Sequence, residues 1–285
     1  MKKTALITAS AFVVSMATFA QNNGTLNLPK GQKYVVENKL VTKSTSEMQG
    51  QSMESNVDVT STYAIEVKDL KDNNYNMTNS ISAIKMNMST MGQNINFDSD
   101  KKEDMNGEMG SNVKDYINHP KDVLMDKSGN VIIAKQKDTA KEKEATNPTE
   151  MIMKQMGDPE AQGYGAKMAF LPIPKNAKAG AAWKDSSLAD GIKKVTNYSI
   201  KEIKGNTATI SISGIENRDV KMQMQGMEIN TKTNGKFTGE ETVDITTGVV
   251  LQNNLTADSA GTIYVMGQEI PTTATVTSVT TVKPM

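Results

Sequence analysis

From Val57 to Val67 apolar and polar residues alternate. Val57, Val59, Tyr63, Ile65 and Val67 fall on one side, and Asp58, Thr60, Thr62, Glu66 and Lys68 on the other. A period of two with one wet face predicts a half-buried β-strand. Similar runs cover Tyr34 to Thr42, Tyr75 to Met88, Val195 to Ile203 and Thr207 to Ile212. From Val220 to Val282 the chain is rich in Thr, Val and Ile and reads as strand after strand, with turns expected at Asn234-Gly235, Thr247-Gly248 and Gly267. Near Ala83 and Ile84 the alternation slips phase, which predicts a β-bulge.

A short pattern recurs between strand-like runs. Met91-Gly92-Gln93-Asn94-Ile95 and Met266-Gly267-Gln268-Glu269-Ile270 share it, and Met224 to Ile229 and Met48 to Met53 are close variants. Glycine supplies the positive φ that a tight hairpin needs, so four long hairpins with similar tips are expected.

The middle of the chain breaks this pattern. Asp98 to Gly110 is acidic and reads as a loop, Asn112 to Asn118 as a short helix, and Lys127-Ser128-Gly129-Asn130 as a hairpin turn. Residues 135–146 carry mixed charge without an apolar stripe. Asn147-Pro148-Thr149-Glu150 is a helix start, with a cap, a first-turn proline and an early acid, and that helix is expected to reach Met156. Fold class follows: mainly β, a large curved antiparallel sheet or open β-barrel, with a helical and loop insertion at about residues 105–160.

The first twenty residues have the three parts of an export signal. Lys2 and Lys3 precede an apolar run from Ala5 to Ala17, and Thr18 and Ala20 stand before Gln21. The run is shorter than the roughly 20 residues that span a bilayer. Cleavage after Ala20 is expected, leaving residues 21–285 as one β-rich domain, exported to the periplasm or beyond. With no cysteine in the chain, the expectation excludes a lipoprotein, disulfides and thiol chemistry.

Removing Lys2 and Lys3 leaves 30 basic against 32 acidic residues, and Arg218 is the only arginine. No basic patch for nucleic acid is visible, and no later segment is apolar enough for a membrane helix. His119 is the sole histidine, in Asn118-His119-Pro120, where a helix would end. Neither a serine elbow, a phosphate loop nor a dinucleotide fingerprint is present. A non-enzyme without a cofactor is therefore expected. Asp98-Ser99-Asp100 with Glu103 and Asp104 departs from a helix–loop–helix calcium loop, which needs glycine where Glu103 stands and an oxygen ligand where Lys102 stands.

Methionine is abundant, at 20 residues, and Met-x-Met-x-x-Met occurs at Met86, Met88, Met91; at Met151, Met153, Met156; and at Met222, Met224, Met227. Flexible thioethers fill strand faces and accept varied apolar partners. The candidate ligand-binding set is therefore Met86, Met88, Met91, Met222, Met224, Met227 and Trp183. A copper reading would use Met86, Met88, Met222 and Met224 as soft ligands for Cu(I).

The order of features resembles an uncharacterised family of secreted β-rich proteins of Gram-negative bacteria. Its marks here are Phe97-Asp98-Ser99, Phe170-Leu171-Pro172-Ile173-Pro174 and Gly180-Ala181-Ala182-Trp183 between two β meanders. The family implies a shape and no settled activity. The general plan is also similar to periplasmic lipoprotein and lipid carriers with open β-barrels. Asp138-Thr139-Ala140 and Asp258-Ser259-Ala260 resemble an O-glycosylation acceptor of some of these bacteria.

The expected role is a non-catalytic binding or carrier protein for a lipophilic ligand or an envelope protein partner. A structural envelope protein that self-associates through strand edges, and a methionine-based Cu(I) binder, are the alternatives.

Overall fold

The computed structural model describes residues 24–48, 50–90, 93–132, 163–189, 191–224 and 227–285. The expected export signal, the helix from Asn147 and the acceptor tripeptide at Asp138 lie outside them.

One antiparallel sheet of eleven strands makes up the fold. Its strands are β1 (Lys33–Met48), β2 (Gln51–Lys71), β3 (Asn74–Thr90), β4 (Gln93–Asp98), β5 (Lys121–Asp126), β6 (Ala182–Ala189), β7 (Ile192–Lys204), β8 (Thr207–Met224), β9 (Met227–Asp244), β10 (Val250–Val265) and β11 (Gln268–Pro284). The order is β4-β3-β2-β1-β11-β10-β9-β8-β7-β6, with β5 also on β3. Every neighbour in that path except β1 and β11 is a hairpin partner, and the last strand closes back on the first over Tyr34↔Pro284 to Ser46↔Thr272. The sheet is curved and stays open, since the end strands β4 and β6 do not pair.

The four methionine-glycine segments lie at hairpin tips, where Met48 pairs Gln51, Thr90 pairs Gln93, Met224 pairs Met227 and Val265 pairs Gln268. All four tips fall at one end of the sheet, together with the β6–β7 turn. Met266 and Gly267 both take positive φ, at 51° and 81°, as a two-residue hairpin of matching twist requires. The expected phase slip is also present. Thr62 faces Ala83 and Tyr63 faces Ile81, so Ser82 is the extra residue and both halves of β3 keep their apolar side chains on one face.

Two expectations need correction. Asn234-Gly235 is not a turn but the middle of β9, where Gly235 faces Glu216 and Ser259. Without a Cβ, it fits against the Asp258 carbonyl and Ser259. The acidic stretch after Asp98 carries helices α1 (Lys102–Met105) and α2 (Glu108–Val113), ending where a helix was expected to begin. Its acids serve local structure. The Asp98 N–H donates to Asp104 Oδ2 at 2.8 Å, the Asp100 N–H donates to Asp98 Oδ1, and Lys85 pairs with both Asp98 and Asp100. The backbone donation from Asp100, then the Lys85 ammonium, holds the Asp98 carboxyl below its ordinary value.

The core occupies one face at the end opposite the tips. Tyr34, Val36, Ile65, Val67, Tyr75, Met77, Ile200, Ile210, Val243 and Val250 are buried there. Helix α3 (Tyr164–Ala169) docks on this face through Ala166 and Ala169, both fully buried, and through Gly165. A Cβ on Gly165 would overlap Asn79 Oδ1 and the Tyr63 ring, so the helix approaches only because the residue is glycine. A strap before β1 completes the base. Leu26 and Leu28 are buried, the Tyr75 hydroxyl donates to the Leu26 carbonyl at 2.9 Å, and the Leu28 N–H donates to that hydroxyl at 3.1 Å.

Candidate functional site

Strand alternation sorts the long hairpins into two faces. On the core face, Val36 and Asn38 of β1 lie beside Val282 and Thr280 of β11, and Val243 and Glu241 of β9 beside Ala208 and Ile210 of β8. Residues of the other parity form the opposite face. Neighbouring strands rotate by roughly 20–25° relative to one another, which curves the sheet along this face.

A groove of about 830 Å³ runs across β2, β1, β11, β10, β9 and β8 on that face. Its volume falls within the roughly 300–1,000 Å³ of ordinary ligand sites. Glu54 and Asn56 come from β2, Lys43 and Thr45 from β1, and Thr273 and Thr275 from β11. Asp258 and Ala260 come from β10, Asn234 and Lys236 from β9, and Ile215 and Asn217 from β8. One rung crosses the middle of it: Asn56↔Lys43, Lys43↔Thr275, Thr275↔Asp258, Asp258↔Lys236 and Lys236↔Ile215. The six side chains of this rung are exposed, so the groove is shallow and open along its length.

Several lysines on the sheet pair with acids, as in Lys33–Glu66, Lys39–Glu37, Lys201–Glu240 and Lys232–Asp219. Among the described residues, Lys43, Lys236, Glu54 and Asp258 make no ion pair, although Lys236 faces Asp258 in register. Asp258 instead accepts a hydrogen bond from the Thr275 hydroxyl at 2.7 Å, which fixes the carboxylate on the groove floor.

A second polar feature lies on the core face. Ser61, Asn38, Thr280, Asn253 and Glu241 form a continuous rung over five strands. Asn38 Nδ2 donates to Ser278 and Thr280, and Asn253 Nδ2 donates to Glu241 Oε1 at 2.6 Å. Glu241 is 7% exposed, and its Oε2 has no partner among the described residues. Burial pushes its carboxyl up to about 7, against the opposing pull of the Asn253 hydrogen bond and the Lys194 ammonium.

Of the residues expected from sequence, Met86, Met88 and Trp183 lie away from this groove. Met86 is buried opposite Phe97 and Val59, and Met88 is half-buried opposite Ile95 and Val57. Trp183 is 1% exposed and stacks on Tyr198, with ring centroids 5.1 Å apart, which leaves little surface for a ligand. Met91 and the side chains of Met222, Met224 and Met227 lie outside the described residues. β3 and β8, which carry the four methionines of the copper reading, are separated in the sheet by five strands. His119 is exposed, after Asn118 at φ 58°. Ser259 of the second acceptor tripeptide is half-buried in the middle of β10, with Gly235 and Ala274 across from it.

None of the groove residues was singled out as a ligand site from sequence. Their pattern is nevertheless visible: Lys43, Thr45, Thr273, Thr275, Asp258 and Ala260 alternate along their strands. They meet only because β11 returns to β1, a pairing that alternation does not specify.

The profile of a family of unknown function (DUF6263) matches residues 72–250, and the chain belongs to that family. The match takes in all three marks named above. In the structure Phe97 is buried against Met86, Gly180 turns at φ 87°, and Phe170 bridges Val249 while its ring meets Tyr34 edge-on. No curated protein matches the chain.

Among solved structures, the chain is similar to the COG4313 outer membrane channel from Pseudomonas putida F1, at 7% identity and a TM-score of 0.27, over 93% of this chain and 100% of that one. It is also similar to OccK7 (OpdD) of Pseudomonas aeruginosa, at 7% identity and a TM-score of 0.22, over 90% and 100% of the two chains. A third is the translocator domain of the autotransporter NalP from Neisseria meningitidis, at 7% identity and a TM-score of 0.20, over 90% of each chain. At such TM-scores nothing about this chain follows from them. No helix among the described residues is long and apolar enough to cross a membrane.

Proposed function

We propose that this is a non-catalytic binding protein of the cell envelope or its exterior, and that its ligand lies in the groove on the sheet face opposite the core. The carrying observation is that two lysines and two carboxylates from four strands line one groove and, among the described residues, make no ion pair. Among the described residues ten ion pairs form between nearby cations and carboxylates, whereas Lys236 and Asp258, directly in register, do not pair. Left apart on a rigid strand scaffold, they are pre-organised for groups brought by a ligand. Ile215 and Ala260 are apolar, and with the threonine methyls and lysine stems they make most of the lining surface apolar, so the ligand combines charged groups with apolar surface.

Ala260 is exposed in the middle of the groove, on a strand that accepts a large aromatic residue. Native mass spectrometry of the mature protein, isolated from its own host without detergent, is expected to show an adduct that Ala260→Trp loses while its thermal midpoint holds. An adduct that persists in Ala260→Trp would place the ligand elsewhere.

A further inference from the structure

Resting on that reading of the groove, we propose that its occupant is an extended peptide segment lying across the strands, with acidic, basic and acidic side chains at alternate positions. The rung through the groove presents Lys43, then Asp258 two strands on, then Lys236 on the next strand. Strands are about 4.8 Å apart, so the two lysines stand about 14 Å apart along the sheet, with the carboxylate between them. In an extended chain, side chains on one face recur about every 6.8 Å, so residues i, i+2 and i+4 span about 14 Å as well. Asp258 stands about 10 Å from Lys43 and about 5 Å from Lys236, so an acid–x–base–x–acid segment sets its two carboxylates on the lysines and its ammonium on Asp258, the long flexible lysine side chains spanning the roughly 3 Å offset.

The remaining lining fits a peptide better than other polar chains. Asn56, Asn217 and Asn234 each carry a donor and an acceptor, as a peptide amide does, and Thr45 and Thr273 add hydroxyls. The groove has no aromatic ring on which a sugar would stack and no arginine fork for a phosphate. It is open along its length, which admits the middle of a long chain as readily as a free end. Glu54, at the β2 end, offers a further acceptor to a basic residue beyond Lys43.

The test uses two fluorescein-labelled peptides, Glu-Thr-Lys-Thr-Glu and Lys-Thr-Glu-Thr-Lys, with blocked ends, titrated onto the mature protein at low salt and followed by anisotropy. The first is expected to bind at least about tenfold more tightly than the second. The variant carrying Lys43→Glu, Asp258→Lys and Lys236→Glu is expected to reverse that preference. These positions are exposed, so the fold is retained, and circular dichroism checks it. Equal binding of the two peptides, no binding of either, or an unchanged preference in the triple variant would overturn the proposal. If it is overturned while Ala260→Trp still removes a native adduct, the groove is the site and only the ligand class is wrong. If both fail, the groove reading falls with it.

Discussion

Glu241 shows how one residue couples this sheet to its surroundings. Strand β9 alternates so that Val243, Glu241 and Phe237 share the core face, and the pairing of β9 with β10 sets Asn253 against the carboxyl. The groups around it are Lys194 and Tyr198 of β7 and Asn253 of β10, with Ile210 of β8 apolar beside it. Burial dominates and raises the folded-state value to about 7, above the ordinary 4.5. The folded state therefore holds a proton that the unfolded chain has already released between those values. The protonated form carries no penalty below about pH 4.5. Stability is lost as pH rises towards 7, and above 7 the full cost of a buried charge remains, about 3 kcal/mol. Thermal melts of the wild type and Glu241→Gln at pH 5 and pH 8 check this. Glu241→Gln is expected to be the more stable protein at pH 8, with a gap that closes at pH 5. A gap independent of pH would contradict the assignment.

At the level of elements, the strap at residues 24–28 and its anchor Tyr75 turn an open sheet end into a core. The Tyr75 hydroxyl satisfies the Leu26 carbonyl and the Leu28 N–H, two buried backbone groups that have no ladder to join there. Tyr75→Phe leaves both unpaired and is expected to cost about 1–3 kcal/mol. Hydrogen exchange is expected to quicken at Leu28 before it quickens in the strands. Loss of stability without local exchange at the strap would assign the cost to packing instead.

Hairpins were the most legible elements of the sequence. Met91-Gly92, Met266-Gly267 and their variants mark tips because a two-residue turn has its own chemistry, and the slip at Ala83 marks a bulge because alternation has a fixed period. The strap was invisible, since Gly24 to Leu28 has no period and is held by residues far along the chain. Asn234-Gly235 misled for the converse reason. The pair favours a turn locally, but the close approach of β8 and β10 gives that glycine a use inside a strand.

The whole molecule divides its work along the strands. One end carries a buried core on one face, and the other end carries a charged groove on the opposite face. Long strands make this possible, because strands of 16 and 21 residues such as β1 and β2 extend well past the core that anchors them. The fold class was readable from alternation and turns. The groove was not, because it needs the order of six strands and the meeting of the first strand with the last. The methionine clusters drew attention in the sequence, yet Met86 is core, and Trp183 is sealed against Tyr198.

The most direct check on the account is hydrogen–deuterium exchange of the mature protein, with and without the peptide-containing fraction extracted from its host envelope. The account predicts protection confined to residues 43–45, 54–56, 215–217, 234–236, 258–260 and 273–275, absent in Ala260→Trp. Protection centred on residues 86–88 and 181–185, with these segments unchanged, would contradict it and return the site to the methionines and Trp183.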